Sequence, residues 1–281
     1  KGKLPATRQS LGNFFSQFDE PVQAVVECTS FWYWVADWCQ DHNISLVLAH
    51  AKMLKAISYA KVKTDAVDAR TLAELLQAGL IPEAWKIQWH RRGLRELTRG
   101  RLRLIHRRQR IQNQVYSICA KYNVSFSDTG WYHLDQLERH LRPSLPQVAC
   151  MEIGCLFEQL RLLQAHIHKL EADIEGHVWF DQERQRLLQI PGVGVVTGWT
   201  ILAEIGDIKR FPSAKQFVSY CRLVPGSDDS AGKQRHKSTN KDGTPYLKAA
   251  FMQAGLAALS NSGPVKTFYK KIKKRSGRHV A

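Results

Sequence analysis

The sequence is short of acidic residues. It holds 25 Asp and Glu against 41 Lys and Arg, which gives a formal net charge of +16 at pH 7. Such a balance points to a polyanionic partner, most often nucleic acid. Because the basic residues are also clustered along the chain, a merely basic protein without such a partner is the weaker interpretation.

Paired cysteines and long apolar runs are also missing. The six cysteines include no C-x-x-C pair, which argues against a zinc site or a redox motif. Reduced thiols in the cytosol are the simplest interpretation. The Trp-rich run at residues 31–38 is broken by Asp37 and is too short to cross a membrane. No signal peptide is visible, so we expect a cytoplasmic protein.

Strands and helices alternate over the first third of the chain. Residues 22–27 form an apolar run that ends in Glu27, the pattern of a buried strand, and residues 44–49 predict a second strand. This alternation predicts an α/β layer with a sheet at its centre. The helices are expected at about 10–18, 29–40, 51–60 and 65–78, with Ser10 capping the first and Thr29 or Ser30 the second.

Two aspartates lie where the fourth of these helices begins. Asp65 and Asp68 are three residues apart and therefore share a helix face. They are either a helix-start device, with Thr64 or Asp65 as N-cap and Asp68 near the positive end of the helix dipole, or half of a divalent-metal site. Glu27 is a third acid that could join such a site. The short motif alone leaves both possibilities open.

Arginine is concentrated in residues 91–110, where few acids balance it. Phosphate binding along a helix is a better explanation of this density than a solvated face. Apolar residues at steps of three and four run through residues 94–118 and 153–174, which predicts two long helices around a less regular insert at 122–149. The two could form an antiparallel hairpin, join chains as a coiled coil, or represent ordinary helix packing.

The last third of the chain contains a Pro-Gly-Val-Gly turn between two predicted helices. Residues Pro191, Gly192, Val193 and Gly194 match a helix-hairpin-helix, in which free amides at the start of the second helix grip a DNA phosphate. A plain helix–helix turn is the alternative. Further helices are expected from the cap Ser213 and from Pro245, with a polar, flexible, basic loop at 223–237 between them and a basic C-terminal end.

Three motifs in this order resemble a known family. They are Glu27 after a strand; Lys63-Thr64-Asp65-Ala66-Val67-Asp68-Ala69; and Ile190-Pro191-Gly192-Val193-Gly194 followed by Phe211, Leu223-Val224-Pro225 and Ser230. From about Val22 onward the chain is similar to the DEDD transposases of bacterial insertion sequences, the insertion sequence 110 family, which includes pilin-gene invertases.

The resemblance implies two chemical centres. Glu27, Asp65 and Asp68 match the second, third and fourth acids of a tetrad that binds two Mg²⁺ ions in a RuvC-like, ribonuclease-H domain. The first Asp would lie upstream of Lys1, so we expect this chain to be an incomplete fragment.

The second implied centre is a serine nucleophile toward DNA. Ser230 matches the family's serine, although the family usually shows Ser-Gly where this chain has Ser230-Ala231-Gly232, and Ser227 is a rival. Lys233 and Arg235 would help to neutralise the phosphate.

Partners also follow from the resemblance. Family members use a structured non-coding RNA that pairs with target and donor DNA, so that the protein reads backbone and shape. The RNA contacts are then expected at Arg95, Arg99, Arg103, Arg107 and Arg110. Since cutting and joining two duplexes needs several active sites, a homodimer or homotetramer is expected, associated with the bacterial nucleoid.

The predicted fold is α/β plus α, in three parts. These are a truncated RuvC-like domain at 1–86, an arginine-rich and coiled-coil helical region at 87–182, and a mostly helical transposase domain at 183–281. The predicted function is a DNA transposase that acts by metal-assisted phosphoryl transfer with a serine nucleophile. The alternatives are a RuvC-like nuclease or junction resolvase without a covalent step, and a non-enzymatic remnant that binds nucleic acid.

Overall fold

The computed structural model describes residues 3–57, 64–176, 181–224, 226–230, 233–237, 242–260 and 263–277. The chain divides into two compact units, Lys1–Trp89 and His90–Ala281. The helical region and the C-terminal part of the prediction thus fall in one compact unit, while the predicted three-domain division remains a prediction.

The first unit is a small α/β layer. Strands β1 (Gln23–Glu27) and β2 (Ser45–Ala49) pair in parallel, with Glu27 opposite Ala49. Helices α1 (Arg8–Phe15), α2 (Trp32–Asp41), α3 (Ala51–Ile57) and α4 (Asp65–Gln77) accompany them. Trp32, Ala36, Leu48 and Ile87 form the buried core. Both predicted strands are confirmed, and the unit is compatible with a truncated RuvC-like domain.

Two of the predicted helix caps in this unit are wrong. Thr7, not Ser10, caps α1: its hydroxyl accepts a hydrogen bond from the Ser10 amide at 3.2 Å. Helix α2 begins only at Trp32 and has no side-chain cap. The Thr29 amide instead donates to the Glu27 carbonyl at 2.7 Å, so the chain turns tightly at the end of β1 before the helix can start.

The second unit is mainly helical. Its long helices are α5 (Trp89–Lys121) and α7 (Gln147–Glu175), separated by α6 (Leu134–Leu141). The C-terminal part contains α8 (Asp181–Leu188), α9 (Val195–Ile205), α10 (Ala214–Tyr220), the antiparallel hairpin β3 (Gly226–Ser230) and β4 (Lys233–Lys237), α11 (Pro245–Ser260) and α12 (Pro264–Ser276). The predicted loop at 223–237 therefore contains a β-hairpin. Within the described ranges, no helix is long and apolar enough to cross a membrane.

Helices α5 and α7 run antiparallel within the chain. Near the C-terminal end of α5, Val115 shares a buried cluster with Ile153, which lies early in α7. Near the other end, Leu94 clusters with Ile174, and the Arg101 guanidinium reaches the Glu171 carboxylate at 2.5 Å. The antiparallel hairpin is thus the arrangement observed, while coiled-coil geometry and pairing between chains remain predictions.

Helices α9 and α11 form the centre of the C-terminal part. Val193, Ile201, Leu247, Ala250 and Ala254 are buried together. The buried face of α11 is rich in alanine, whereas the larger apolar residue Leu256 is 67% exposed. Small side chains on that face let neighbouring backbone approach closely, and this close approach decides which side of α11 is buried.

Candidate active site and nucleic-acid interface

The three predicted metal-binding acids lie at the ends of two elements that touch. Glu27 is the last residue of β1, and Asp65 and Asp68 lie in the first turn of α4, which contacts β1. Thr64 is the N-cap of α4, because its hydroxyl accepts from the Val67 amide at 3.3 Å. Asp65 is therefore not the cap, although both aspartates favour the positive end of the helix.

Carboxylate oxygens are suitable ligands for Mg²⁺, but the observed arrangement does not assemble a metal site. Among the residues that the structure describes, no group of three or more His, Cys, Asp or Glu side chains could hold a metal ion. Asp65 lies 3.6 Å from Lys3 in a pair whose side chains are about nine-tenths exposed, and such pairs are weak. The donor chemistry fits magnesium and the present geometry does not, so magnesium remains a prediction.

The β3–β4 hairpin carries the predicted nucleophile at the end of a strand. Ser230 is the last residue of β3 and is the cross-strand partner of Lys233, while Ser227 is the partner of His236. Directly opposed residues and residues two apart along a strand share one face of a hairpin. The register therefore puts Ser230, Lys233 and Arg235 on one face and Ser227 on the other.

The two ends of the segment that contains this hairpin are fastened to each other. The Arg222 side chain donates from Nε to the Gly243 carbonyl at 2.9 Å, and the Thr244 amide donates to the Tyr220 carbonyl at 3.0 Å. Gly243 has a φ of +96°, and a Cβ there would lie 2.0 Å from the Tyr220 carbonyl oxygen. Only glycine fits that position, because the two chain segments touch there.

The arginines predicted to bind RNA divide into two groups. Arg95 and Arg99 point inward, with side chains 13% and 21% exposed, and both pair with Glu204, which is fully buried on α9. Arg99 bonds bidentately to the Glu204 carboxylate at 2.5 and 2.9 Å, and Arg95 lies 3.5 Å from it. The structure thus gives these two arginines an internal partner, and their contact with RNA remains a prediction.

A buried carboxylate requires such counter-charges, because an uncompensated one costs several kcal/mol. The same inward environment affects Arg91, one helical turn before Arg95. Burial lowers the pKa of the Arg91 guanidinium, although Glu183 and Asp207 act in the opposite direction. One face of the first turns of α5, the face that carries Arg91, Arg95 and Arg99, is therefore turned toward the interior of the second unit.

Arg103, Arg107 and Arg110 form the second group. All three are exposed, and their spacing of four and three residues puts them on one face of α5. The Arg103 guanidinium forms a long ion pair with the Glu96 carboxylate, at 4.0 Å. This face is a row of positive charge at the spacing of successive helix turns, and it is the part of the predicted RNA surface that is accessible.

The Pro-Gly-Val-Gly turn joins α8 to α9 as expected, but its residues face different ways. Gly192 has a φ of +87°, and a Cβ there would lie 2.0 Å from the Ala254 carbonyl oxygen on α11. Val193 is buried in the core, whereas Pro191 and Gly194 are exposed. Gly192 is thus required for packing on α11, and its contact with DNA remains a prediction.

Gly194 has the opposite surroundings. It is the N-cap of α9 without a side-chain hydrogen bond, and a Cβ built on it would meet no atom within 4 Å. The amide end of α9 is therefore open at this residue, as phosphate binding by a helix-hairpin-helix would require.

Sequence reasoning missed Glu204 and Thr244. Glu204 is the one acid in the otherwise apolar or neutral helix Val195–Ile205, and it accepts a hydrogen bond from the Thr244 hydroxyl at 3.0 Å. A lone acid in an apolar helix signals either exposure or a buried partner. That signal could have shown that Glu204 is either exposed or paired in the interior, but no spacing rule connects Arg99 to a residue more than a hundred positions away.

Two family models match the chain. One, described as Transposase and specific to the DEDD group of IS110, matches residues 2–123, and the other, described as Transposase IS116/IS110/IS902 family, matches residues 184–270. The first range contains the three acids and all of α5. The second contains the glycine turn, the β3–β4 hairpin and α11.

Curated relatives match across both ranges. The chain is 25% identical over 261 residues to a probable family 20 transposase of Pseudomonas aeruginosa, which covers 90% of this chain and 75% of the relative. It is 25% identical over 195 residues to the transposase for insertion sequence element IS1328 of Yersinia enterocolitica, covering 68% of this chain and 57% of the relative. For the IS1111A transposase of Coxiella burnetii the identity is 22% over 204 residues, with 70% and 55% covered.

The chain thus spans little more than half the length of the last two relatives. The resemblance stated from the order of Glu27, the Asp-x-x-Asp motif and the glycine turn is confirmed. The two family models and these relatives agree: this chain belongs to the IS110 family of DEDD transposases.

Proposed function

We propose that this chain cuts and rejoins DNA during movement of an insertion sequence, with Ser230 as the nucleophile. The observation that carries this proposal is the register of the β3–β4 hairpin, inside the range that matches the transposase family. That register groups Ser230 with Lys233 and Arg235 on one face, together with Lys237 and with Asp228, which lies opposite Arg235. Ser227 shares its face with His236 and lacks the two bases.

In this proposal the hydroxyl oxygen of Ser230 attacks a phosphorus atom of the DNA backbone. A bond forms between that oxygen and phosphorus while one phosphorus–deoxyribose oxygen bond breaks. The serine proton is removed, and the departing oxygen takes up a proton. Lys233 and Arg235 balance the negative charge that grows on the phosphate, which is the help a weak hydroxyl nucleophile needs.

Magnesium belongs to this proposal through Glu27, Asp65 and Asp68. These acids would hold it in the assembled enzyme, and the ion would then supply charge neutralisation at the scissile phosphate. The donor chemistry of the three acids supports the assignment, because carboxylate oxygens are suitable ligands for Mg²⁺. Strand β1 and helix α4 lie in contact, and Thr64 performs the capping that would otherwise occupy Asp65.

Two surfaces support nucleic-acid binding. The exposed row of Arg103, Arg107 and Arg110 suits the phosphates of a structured RNA, and the open amide end of α9 at Gly194 suits one DNA phosphate. In this proposal base pairing of the RNA chooses the DNA sites, and the protein supplies the chemistry. Several protomers act together, because two duplexes have to be cut and joined.

The first experiment is a transfer assay between two plasmids, one of which carries the element. Ser230→Ala should abolish transfer and the formation of a detergent-stable protein–DNA adduct, while DNA binding by mobility shift stays within about two-fold, because only the attacking oxygen is removed. Ser227→Ala is the matched control, because Ser227 lies on the opposite face of the same strand. It should keep both transfer and adduct formation. Asp65→Asn should also abolish transfer, while the cap Thr64 keeps α4 folded.

The outcomes separate the candidate functions. Hydrolysis of DNA without an adduct, unaffected by Ser230→Ala, would indicate a nuclease or junction resolvase. Loss of the adduct in Ser227→Ala alone would move the nucleophile to the other face of the hairpin. Sequencing of the RNA that purifies with the protein tests the guide: a discrete RNA complementary to both DNA sites supports it, and mixed cellular RNA contradicts it.

A further inference from the structure

Glu204 holds together three separate parts of the second unit. Its carboxylate, fully buried on α9, accepts from Arg99 on α5 at 2.5 and 2.9 Å and from the Thr244 hydroxyl at 3.0 Å. Thr244 directly precedes α11 and is also buried. A buried carboxylate with these partners fixes their mutual positions tightly, because breaking any contact leaves a buried charge poorly compensated.

Thr244 is also the point at which the hairpin segment re-enters the fold. Its amide donates to the Tyr220 carbonyl at 3.0 Å, and the adjacent Gly243 carbonyl accepts from the Arg222 side chain at 2.9 Å. Tyr220 and Arg222 are the residues from which the chain departs toward β3. Both ends of the segment that carries Ser230 therefore converge on the residue bound to Glu204.

A second set of contacts makes the base of the hairpin continuous with α5. The Thr244 hydroxyl accepts a hydrogen bond at 3.3 Å from the amide of Tyr246, the second residue of α11. The Arg99 guanidinium lies over the Tyr246 ring, 4.5 Å from its centroid. Arg99 thus contacts both Glu204 and the first turn of α11, and Arg103, the first residue of the exposed row, is one turn further along α5.

We propose that the Arg99–Glu204–Thr244 contacts position the β3–β4 hairpin relative to α5, so that Glu204 and Thr244 are positioning residues for the reaction at Ser230. This inference rests on the proposed function for the identity of the reacting group. The device holds the serine hairpin at a fixed distance from the helix that carries the nucleic-acid row. Its effect is on the rate of the chemical step and not on the binding of nucleic acid.

Thr244→Val is the decisive variant, because it keeps the shape of the side chain and removes the hydroxyl. The single-turnover rate of adduct formation on saturating DNA should fall about ten-fold, the loss expected for one hydrogen bond of about 1.4 kcal/mol. Nucleic-acid affinity should stay within about two-fold of wild type. Thr244→Ser, which retains the hydroxyl, should restore most of the rate.

The control is Glu171→Gln on α7. Glu171 pairs at 2.5 Å with Arg101, which lies on α5 two residues after Arg99, and this ion pair joins α5 to α7 and does not include Glu204 or Thr244. It should lose stability without the loss of rate. Glu204→Gln should be slower still than Thr244→Val, and thermal unfolding by circular dichroism identifies any variant that is not folded at the assay temperature.

The two claims fail in different ways. If Ser230→Ala forms the adduct normally, Ser230 is not the nucleophile. A slow Thr244→Val in the same assay would still support positioning of the hairpin. If Ser230→Ala is inactive and Thr244→Val forms the adduct at the wild-type rate, the positioning role is overturned and the nucleophile assignment stands. A weaker nucleic-acid affinity in Thr244→Val that fully accounts for its lower rate overturns it as well.

Discussion

Two glycines only two residues apart have different physical tasks. Gly192 packs its α-carbon against the backbone of α11 with a φ of +87°, whereas Gly194 is open to solvent with an ordinary φ of −87°. The first conformation is one that residues with a Cβ rarely adopt. The difference cannot be seen in the motif itself, where both residues look like parts of one ligand-binding turn.

Gly192→Ala should therefore destabilise the second unit by about 3 kcal/mol or more, since it adds the cost of a left-handed backbone to a clash that forces α11 to move. Gly194→Ala is the matched control and should cost about 1 kcal/mol or less, because it fills empty space at a helix cap. Urea unfolding followed by tryptophan fluorescence measures both. Equal losses would mean that α11 can move away without cost.

At the same scale, sequence reasoning succeeded where chemistry is local. Thr64, Asp65 and Asp68 were placed correctly at a helix start, because capping depends on residues three apart. It failed where the partner is distant. Nothing near Arg99 in the sequence indicates that it pairs with Glu204, because the packing of α5 on α9 brings the two side chains together.

At the scale of elements, α5 has an internal and an external function along one helix. Its first turns bring Arg95 and Arg99 to a buried carboxylate, and later turns expose Arg103, Arg107 and Arg110. The density of arginine in the sequence is the same over both parts. Density alone predicted a single RNA surface, and only the burial of Glu204 divides it.

The exposed row makes a prediction for RNA binding. Replacing Arg103, Arg107 and Arg110 by Gln should weaken binding to single-stranded RNA by about 10- to 100-fold and lower the slope of log affinity against log salt by about 2, as expected for three lost phosphate contacts. Fluorescence anisotropy with polyuridine RNA at several salt concentrations measures both quantities. Helix content should not change, because none of the three is buried.

The control removes equal charge elsewhere, through Gln at Arg139, Lys169 and Lys215, which are exposed on three other helices. It should change the salt slope much less. If both triple variants lose affinity equally, the +16 charge of the chain acts as a diffuse attraction, and the row on α5 has no special role.

The alternation of strands and helices in the first unit was also predictable, because periodicity is a property of short segments. The β3–β4 hairpin was not: its residues are polar and charged, and composition alone predicted a loop. The alanine face of α11 was missed for a related reason. Large apolar residues such as Leu256 would be expected in the core, but close packing against Gly192 requires the small residues Ala254 and Ala258.

At the scale of the whole molecule, the two units differ in how much side chain they bury. In the first unit, α1 and α4 contain no buried residue among those described, and β1 is only partly buried. In the second unit Trp199, Phe157 and Leu247 are fully buried. Local opening is easier where fewer apolar contacts are lost.

Hydrogen exchange should reveal this difference directly. By mass spectrometry, amides of α9 should exchange at least about a hundred-fold more slowly than those of α4, since each factor of ten corresponds to about 1.4 kcal/mol of opening free energy.

Ile201→Ala, which removes a fully buried side chain from α9, should lower the free energy of unfolding by about 3 kcal/mol and speed exchange in α9 and α11 about a hundred-fold. Exchange in β1 and β2 should stay as it is, because these strands belong to the other compact unit. Faster exchange in β1 and β2 of that variant would mean that the two units open as one cooperative body, and stability gained at the Glu204 contacts would then extend to the strand that carries Glu27.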